Sequence, residues 1–481
     1  MAREPVTRMQ LDAYRFGQRR LESALARRDP ALLHEEIRGQ RRVVVTGLAL
    51  AMLLLAGTFA YAKAAGKPAW NHREVVVGKQ SGRMFAVIHN PDRLVPVANL
   101  AAARLVLAAS DQHHVGAPRT PMPTHVDDAA LQRAPRTATA AVPGAAVALP
   151  AAGDLPAPVG SWAVCDSLES TLSTTVVADA TAPKPLPDSG ALLLRSSENE
   201  LYLVVSGRRY RIDDDAVLRA YNLVDDRSRP VSDAVLGAIP EGRALGMPMI
   251  RGAGKAGPGG LPAQVGDVVR VPADTGDRFY LVAATGVQEI SAPVANLIRT
   301  QSRFDLSRPA PAVRAELINA LPRTTVDGGL DDYPRIVPTV AKGPGASTVC
   351  WQWGSDGTGG SVTVDQSLPV PAGRSTTELA QADGAKPNLD AVSMPHGPAT
   401  VVRAVSGRGA GGLWLVSETG IGHPIAAGQH GSSETALALG IEPDSASPAP
   451  EQALRLLPAG PALDLALARR TVDVLVGPAR N

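Results

Sequence analysis

One uninterrupted apolar run, Val43 to Ala62 (VVVTGLALAMLLLAGTFAYA), constrains this chain more than any other feature. As a helix its twenty residues rise about 30 Å, the hydrocarbon thickness of a bilayer. A secretory signal is the competing reading, but its apolar stretch is about 7–15 residues and follows a short charged segment. Here about forty residues come first, so the run reads as a retained anchor. It divides the chain into a basic head (1–42), a span (43–62) and a long second domain (63–481).

Charge sets the expected orientation. Ahead of the run stand Arg3, Arg8, Arg15, Arg19, Arg20, Arg27, Arg28, Arg38, Arg41 and Arg42; soon after it come only Lys63, Lys67 and Arg73. The positive-inside bias then places the N-terminus in the cytosol and the rest outside the cytoplasmic membrane, where no ATP is supplied. The whole chain carries a formal charge of only +2, so nothing global argues for nucleic acid, and the arginines of the head suit anionic lipid. Aromatics make up 4% of the residues, against 46 glycines and 41 prolines, which suits several small β units better than one large core.

The two cysteines, Cys165 and Cys350, both fall on the outer side. An even pair in an oxidising compartment reads as a disulfide; two unpaired buried thiols are the alternative.

The head reads as two helices. Gln10 to Arg27 carries Leu11, Tyr14, Leu21 and Leu25 on one face, and Asp29-Pro30 stops it; a second helix through Leu32, Leu33 and Ile37 runs into the span. Tyr14, Arg15, Arg19, Arg20 and Leu21 are its candidate docking residues for a cytosolic partner. An amphipathic segment resting on lipid is the equal alternative.

Beyond the span a loose unit recurs: a β run, a turn, an aromatic-led second run, a turn and a short helix. Copies fall near 73–110, 190–223, 265–300 and 400–440. Phe85, Tyr202, Tyr280 and Trp414 start the second run, each with a valine two residues on (Val87, Val204, Val282, Val416), so period-2 alternation puts each pair on one buried face. The aromatics lie 117, 78 and 134 residues apart, which argues for a duplicated pair of units over a regular solenoid. Trp162-Ala-Val-Cys165 lies between units one and two, and Val349-Cys350-Trp-Gln-Trp353 between units three and four. Pro240-EGRAL follows unit two as Pro458-AGPAL follows unit four. Core segments are expected near 160–180, 335–352 and after 240 and 455. The breaker-rich stretches 110–160, 179–190, 251–264, 354–396 and 443–450 read as connectors.

Tyr14-RFGQRRLESALARRD before a single span resembles the EccB component of type VII (ESX) secretion systems. So do Pro96-VANLAAARL, Trp162-AVCD, Gly286-VQ, Tyr333-Pro, Val349-CWQW and Leu456-LPAGPAL, in that order along most of the chain. The resemblance implies a single-pass subunit of an inner-membrane complex whose extracytoplasmic domain has four repeats around a central core. It also implies quasi-two-fold architecture with the disulfide Cys165–Cys350. The implied partners are the FtsK-like ATPase EccC, EccD, EccE and the mycosin protease, with further copies of the chain itself. The long Ala/Pro-rich stretch 110–160 and Phe85-Ala86-Val87 depart from that pattern.

Some members of that family are called ATPases, which would require a nucleotide-binding motif. No G-x-x-x-x-G-K-[ST] string occurs; Arg251-GAGKAGPGG lacks the Ser/Thr, and Gly407-RGAGG precedes a strand rather than a helix, so it reads as a hairpin turn. Asp111, His113, His114, His125 and Asp127 share a loop without the scaffold of a metal site, and Asp213-Asp214-Asp215 reads as a helix cap. No catalytic residue, cofactor or metal is assigned. The expected fold is α+β: basic helices, one transmembrane helix, then an elongated β-rich domain of four repeats. The expected function is structural support of a secretion complex. An anchored module binding cell wall or a secreted ligand is the alternative, and an ATP hydrolase the second.

Overall fold

The computed structural model describes residues 7–28, 33–64, 70–110, 120–140, 149, 158–181, 185–274, 276–301, 308–384, 388–427, 433–468 and 470–472. They fall into two compact units, Met1–His72 and Arg73–Asn481.

The first unit is helical. Arg8–Arg27 begins on a reciprocal cap: Gln10 N–H donates to Thr7 Oγ1, and Thr7 N–H to Gln10 Oε1. It ends where Arg28 turns left-handed, φ 55°. Asp29-Pro30 lies outside the described residues. A second helix, Leu33–Ala64, runs unbroken through the apolar segment, and its Arg41–Ala60 stretch is long and apolar enough to cross a membrane.

The second unit is built from one recurring motif. Unit I opens with strands Val75–Gly78, Met84–Ile88 and Arg93–Val97 as an antiparallel meander, followed by helix Leu100–Ser110. Unit II repeats this with Gly190–Arg195, Leu201–Val205, Arg208–Ile212 and helix Asp215–Ala220. Unit III uses Val268–Val271, Arg278–Val282, Val287–Ile290 and Ala292–Gln301. Unit IV uses Thr400–Ser406, Gly409–Val416, Gly422–Ile425 and Glu434–Ala438.

The motif is longer than its sequence signal. After the helix the chain returns to pair in parallel with the first strand: Pro123–Val126 in unit I, Arg229–Pro230 in II, a bridge from Ala312 to Arg270 in III and Ser447–Pro450 in IV. A short second helix follows in each: Asp128–Gln132, Asp233–Ala238, Ala315–Asn319 and Glu451–Leu456. Stretches 110–160 and 443–450, expected as connectors, thus contain the strands that complete units I and IV. Gly354–His396 likewise contains strands Gly360–Asp365, Thr377–Glu378 and Ala391–Ser393. Pro123-Thr-His-Val126 and Ser447-Pro-Ala-Pro450 show no apolar alternation, and their extended form is set by pairing with a neighbouring strand.

A proline clasp closes every unit. Leu94 N–H donates to Pro135 O (2.9 Å) and Thr137 N–H returns a bond to Leu94 O (3.0 Å). The same pair of bonds joins Arg209 with Pro240 and Gly242, Val287 with Pro322 and Thr324, and Gly422 with Pro458 and Gly460. Proline suits the place because the bond needs its carbonyl and not the N–H it lacks. Units I and III share one version, Pro135-Arg136-Thr137 and Pro322-Arg323-Thr324, whose arginines lie over Phe85 (5.2 Å) and Tyr280 (4.9 Å). Units II and IV share another, with glycine at the third place. A Cβ there would stand 2.4 Å from the Tyr210 ring in II and 2.3 Å from the His423 ring in IV. Gly460→Ala is therefore expected to cost about 1–3 kcal/mol by overpacking, read as a lowered melting temperature.

Two hairpins form the centre: Trp162–Leu168 with Leu172–Ala178, and Thr348–Trp353 with Gly360–Asp365. Their inner strands pair antiparallel, with Cys165 directly opposite Cys350. Each half of the chain is thus unit, hairpin, unit. Packing follows the same exchange. Units I and IV share a core through Ala101, Leu105, Leu413 and Leu415, and units II and III through Leu193, Leu203, Leu281 and Leu297. Units II and IV both face the hairpins, through Leu194 and Val204 and through Val402 and Val416. That is the pattern of two similar halves related by a quasi-two-fold axis beside the cysteines.

Candidate functional site: the disulfide-bonded centre and the basic helix

Cys165 and Cys350, 0% and 3% exposed, are bonded to each other. The residue after each cysteine differs, and the two halves diverge there. Asp166 is completely buried. It accepts from Ser232 N–H (2.7 Å), Ser232 Oγ (2.8 Å) and Thr174 Oγ1 (2.9 Å), and Ser232 caps helix Asp233–Ala238. Arg229 crosses the same seam, donating to Asp166 O and Ser347 O (2.8 Å each) and to Ala346 O. This cluster ties unit II to both hairpins. Burial pushes the Asp166 carboxyl above its ordinary range, while Ser232, Thr174 and the Arg229 charge pull it back. In the other half Trp351 follows Cys350, and Pro450, which has no side-chain hydrogen bond to give, precedes helix Glu451–Leu456.

Of the four repeat aromatics, Phe85, Tyr202 and Tyr280 are buried, as are Val87, Val204, Val282 and Val416. None of the four is the first residue of its strand: Phe85 and Tyr202 are second and Tyr280 third, while Trp414, which is half-buried, is sixth. That strand is longer because the Thr400–Ser406 pairing shifts register between Arg403 and Val405, carrying the hairpin outward. Gly407 and Arg408 form its turn, with no helix following. Asp214 Oδ1 accepts from Ala216 N–H (2.8 Å), so the acidic run caps a helix. His125 is exposed on strand Pro123–Val126, while Asp111, His113 and His114 lie outside the described residues.

His423 is buried at 1% exposure, its Nδ1 at 3.1 Å from Pro461 O. Burial lowers its pKa below the ordinary 6.5, so the folded state binds fewer protons than the unfolded. Stability is then greatest above pH 6.5 and declines as pH falls from there toward the folded value. Denaturant unfolding of wild type and His423→Leu at about pH 7 and about pH 5 should show the smaller loss on acidification in the variant.

On helix Arg8–Arg27, Tyr14 (67% exposed) and Leu21 (64%) share a stripe with Leu11 and Leu25. By helical spacing Arg15 and Arg19 flank it on one side and Arg20 on the other. All five candidate docking residues are solvent-facing within their own unit.

Among the described residues these features define a protein with one helix long and apolar enough to span a membrane and a β-rich body of four clasped units around a disulfide-bonded sheet. The chain belongs to the EccB family: the family described as type VII secretion system ESX-1, transport TM domain B, matches residues 3–477. It is similar to the protein named ESX-3 secretion system ATPase EccB3 of Mycobacterium tuberculosis, 29% identical over 516 residues, covering 99% of this chain and 91% of that one. The protein named ESX-1 secretion system ATPase EccB1 of the same organism is 26% identical, covering 95% and 93%. Among solved structures, a chain of an intact ESX-5 inner membrane complex superposes with TM-score 0.67 at 26% identity, covering 100% of this chain and 99% of that one. A chain of an EccB3 dimer from the ESX-3 core complex gives 0.64 at 25% identity, covering 82% and 99%.

The sequence reading missed the proline clasps in units I and III, the Asp166–Ser232–Arg229 cluster and the parallel return strands. The clasps left only a partial signal, since Pro-Arg-Thr occurs at 135–137 and at 322–324 but also at 118–120. The cluster left none, because its members are spread over 182 positions from Asp166 to Ser347 and only folding gathers them.

Proposed function

We propose that this chain is a structural and assembly subunit of a type VII secretion inner-membrane complex. The observation that carries the reading is the whole-length likeness to a subunit of the ESX-5 inner membrane complex. The excess of arginine before the apolar helix supports an N-terminus in the cytosol (1–42), a span at 43–62 and the domain 63–481 outside. In that arrangement Tyr14, Arg15, Arg19, Arg20 and Leu21 dock cytosolic machinery, and membership of the EccB family supports an EccC-type FtsK-like ATPase as that partner. EccD, EccE, a mycosin protease and further copies of this chain complete the set of partners. The role is geometric and not enzymatic, although the relatives are named ATPases. A rigid outer domain, with its halves bonded through Cys165 and Cys350, braces the exit path.

The test is purification of the tagged chain from native membranes in mild detergent, with identification of what co-migrates. Recovery in a large particle with an FtsK-like ATPase and a multi-spanning protein is the expected result. A lone small particle would overturn the reading in favour of an anchored binding module.

A further inference from the structure

A cavity of about 730 Å³ opens where the clasp of unit II, the second central hairpin and unit IV meet. That size falls within the range of ligand sites, roughly 300–1,000 Å³. Its walls include Arg209 and Glu241 from unit II, Trp351 and Trp353 from the hairpin, and Arg408 and Arg455 from unit IV. Where Asp166 and Ser232 join the first half with hydrogen bonds, Trp351 and Pro450 stand at the corresponding places of the second, and both line the cavity.

The walls hold more donors than acceptors can use. Trp351 Nε1 and Arg209 Nε are both buried and have no hydrogen-bond partner among the described residues. Both groups only donate. Glu241 is taken by Arg209 (3.1 Å) and Glu451, also in the wall, by Arg455. The Arg408 guanidinium has no ion-pair partner among the described residues, so the lining is left with one excess positive charge. A ligand that satisfies this wall brings acceptors and negative charge.

We propose that this cavity receives a carboxylate-bearing peptide segment of a partner chain. Its carboxylate meets Arg408, and its carbonyl oxygens meet the indole N–H of Trp351 and Nε–H of Arg209. The proposal is independent of the assembly reading, since binding here is measured on the isolated chain.

The experiment uses the full chain in nanodiscs and fluorescence anisotropy of a labelled, acetylated and amidated Glu-Gly repeat peptide. Saturable binding is expected, weakened roughly tenfold by Arg408→Ala and by Trp351→Phe, which keeps an aromatic ring but removes the donor. A neutral Ser-Gly peptide with a free C-terminal carboxylate distinguishes the source: if it binds as well, the site takes a chain terminus, and if it does not, an internal acidic segment. Three results would overturn the proposal: no saturation, tighter binding of an oligoglucuronate than of either peptide, or an equal loss in Arg133→Ala, an exposed arginine of unit I outside the cavity wall.

Discussion

Replacing both cysteines by serine should lower the stability of the second unit by about 5 kcal/mol, the chain-entropy value for a loop of this length. The bond spans 185 positions and joins the inner strands of the two central hairpins. Units II and IV both pack on those hairpins, so the unfolded chain is held together at the place where the two halves meet. The serines add a smaller cost of their own, since Cys165 and Cys350 lie among Ala163, Val177 and Ala180 with no room for solvated hydroxyls. For a unit of this size the loss corresponds to roughly 6 °C in melting temperature. Membrane insertion should be unaffected, because the apolar helix lies in the other compact unit. Thermal melts of wild type and the double variant, with maleimide labelling of native unreduced protein, provide the check. Equal melting together with reactive thiols would show that the bond does not hold the halves.

Asp166→Ala carries the second large effect, an expected loss of about 3–5 kcal/mol, the usual consequence of removing one member of a buried charged cluster. Three donors now converge on the carboxylate: Ser232 N–H, Ser232 Oγ and Thr174 Oγ1. Without it they are left buried, and the nearby Arg229 charge loses the anion that offsets its desolvation. Asp166→Asn keeps the size and one acceptor and should lose less. The local consequence is as informative as the magnitude. Helix Asp233–Ala238 is held to the hairpin through Ser232, so limited proteolysis of the alanine variant should cut first in unit II. Cleavage and melting like wild type would mean that the cluster is dispensable.

Much of this architecture was legible because it rests on local patterns. The twenty-residue apolar run predicts its own helix. The pairs Phe85/Val87, Tyr202/Val204 and Tyr280/Val282 are buried, but so are Ala86, Leu203 and Leu281 between them, so these strands are covered on both faces rather than on the one that the alternation predicts. The capping acid at Asp214 follows from its place before an alanine-leucine run. The failures share a cause. Pro123–Val126 and Ser447–Pro450 are strands only because a first strand stands beside them, and no local pattern reveals a pairing partner. Trp414 departs from its counterparts because a register shift elongates its hairpin, and that shift is a property of two strands together.

What the sequence determined by itself, then, was the division into a basic helical head, an apolar helix and a domain of duplicated β units, since hydrophobic period and charge act over a few residues. Tertiary structure alone decided the rest: that each unit is closed by a proline clasp, that I packs with IV and II with III, and that Asp166 ties one half together while Trp351 lines a cavity in the other. Those outcomes depend on hydrogen bonds and burial between residues tens to hundreds of positions apart, and such contacts exist only once the chain has closed on itself.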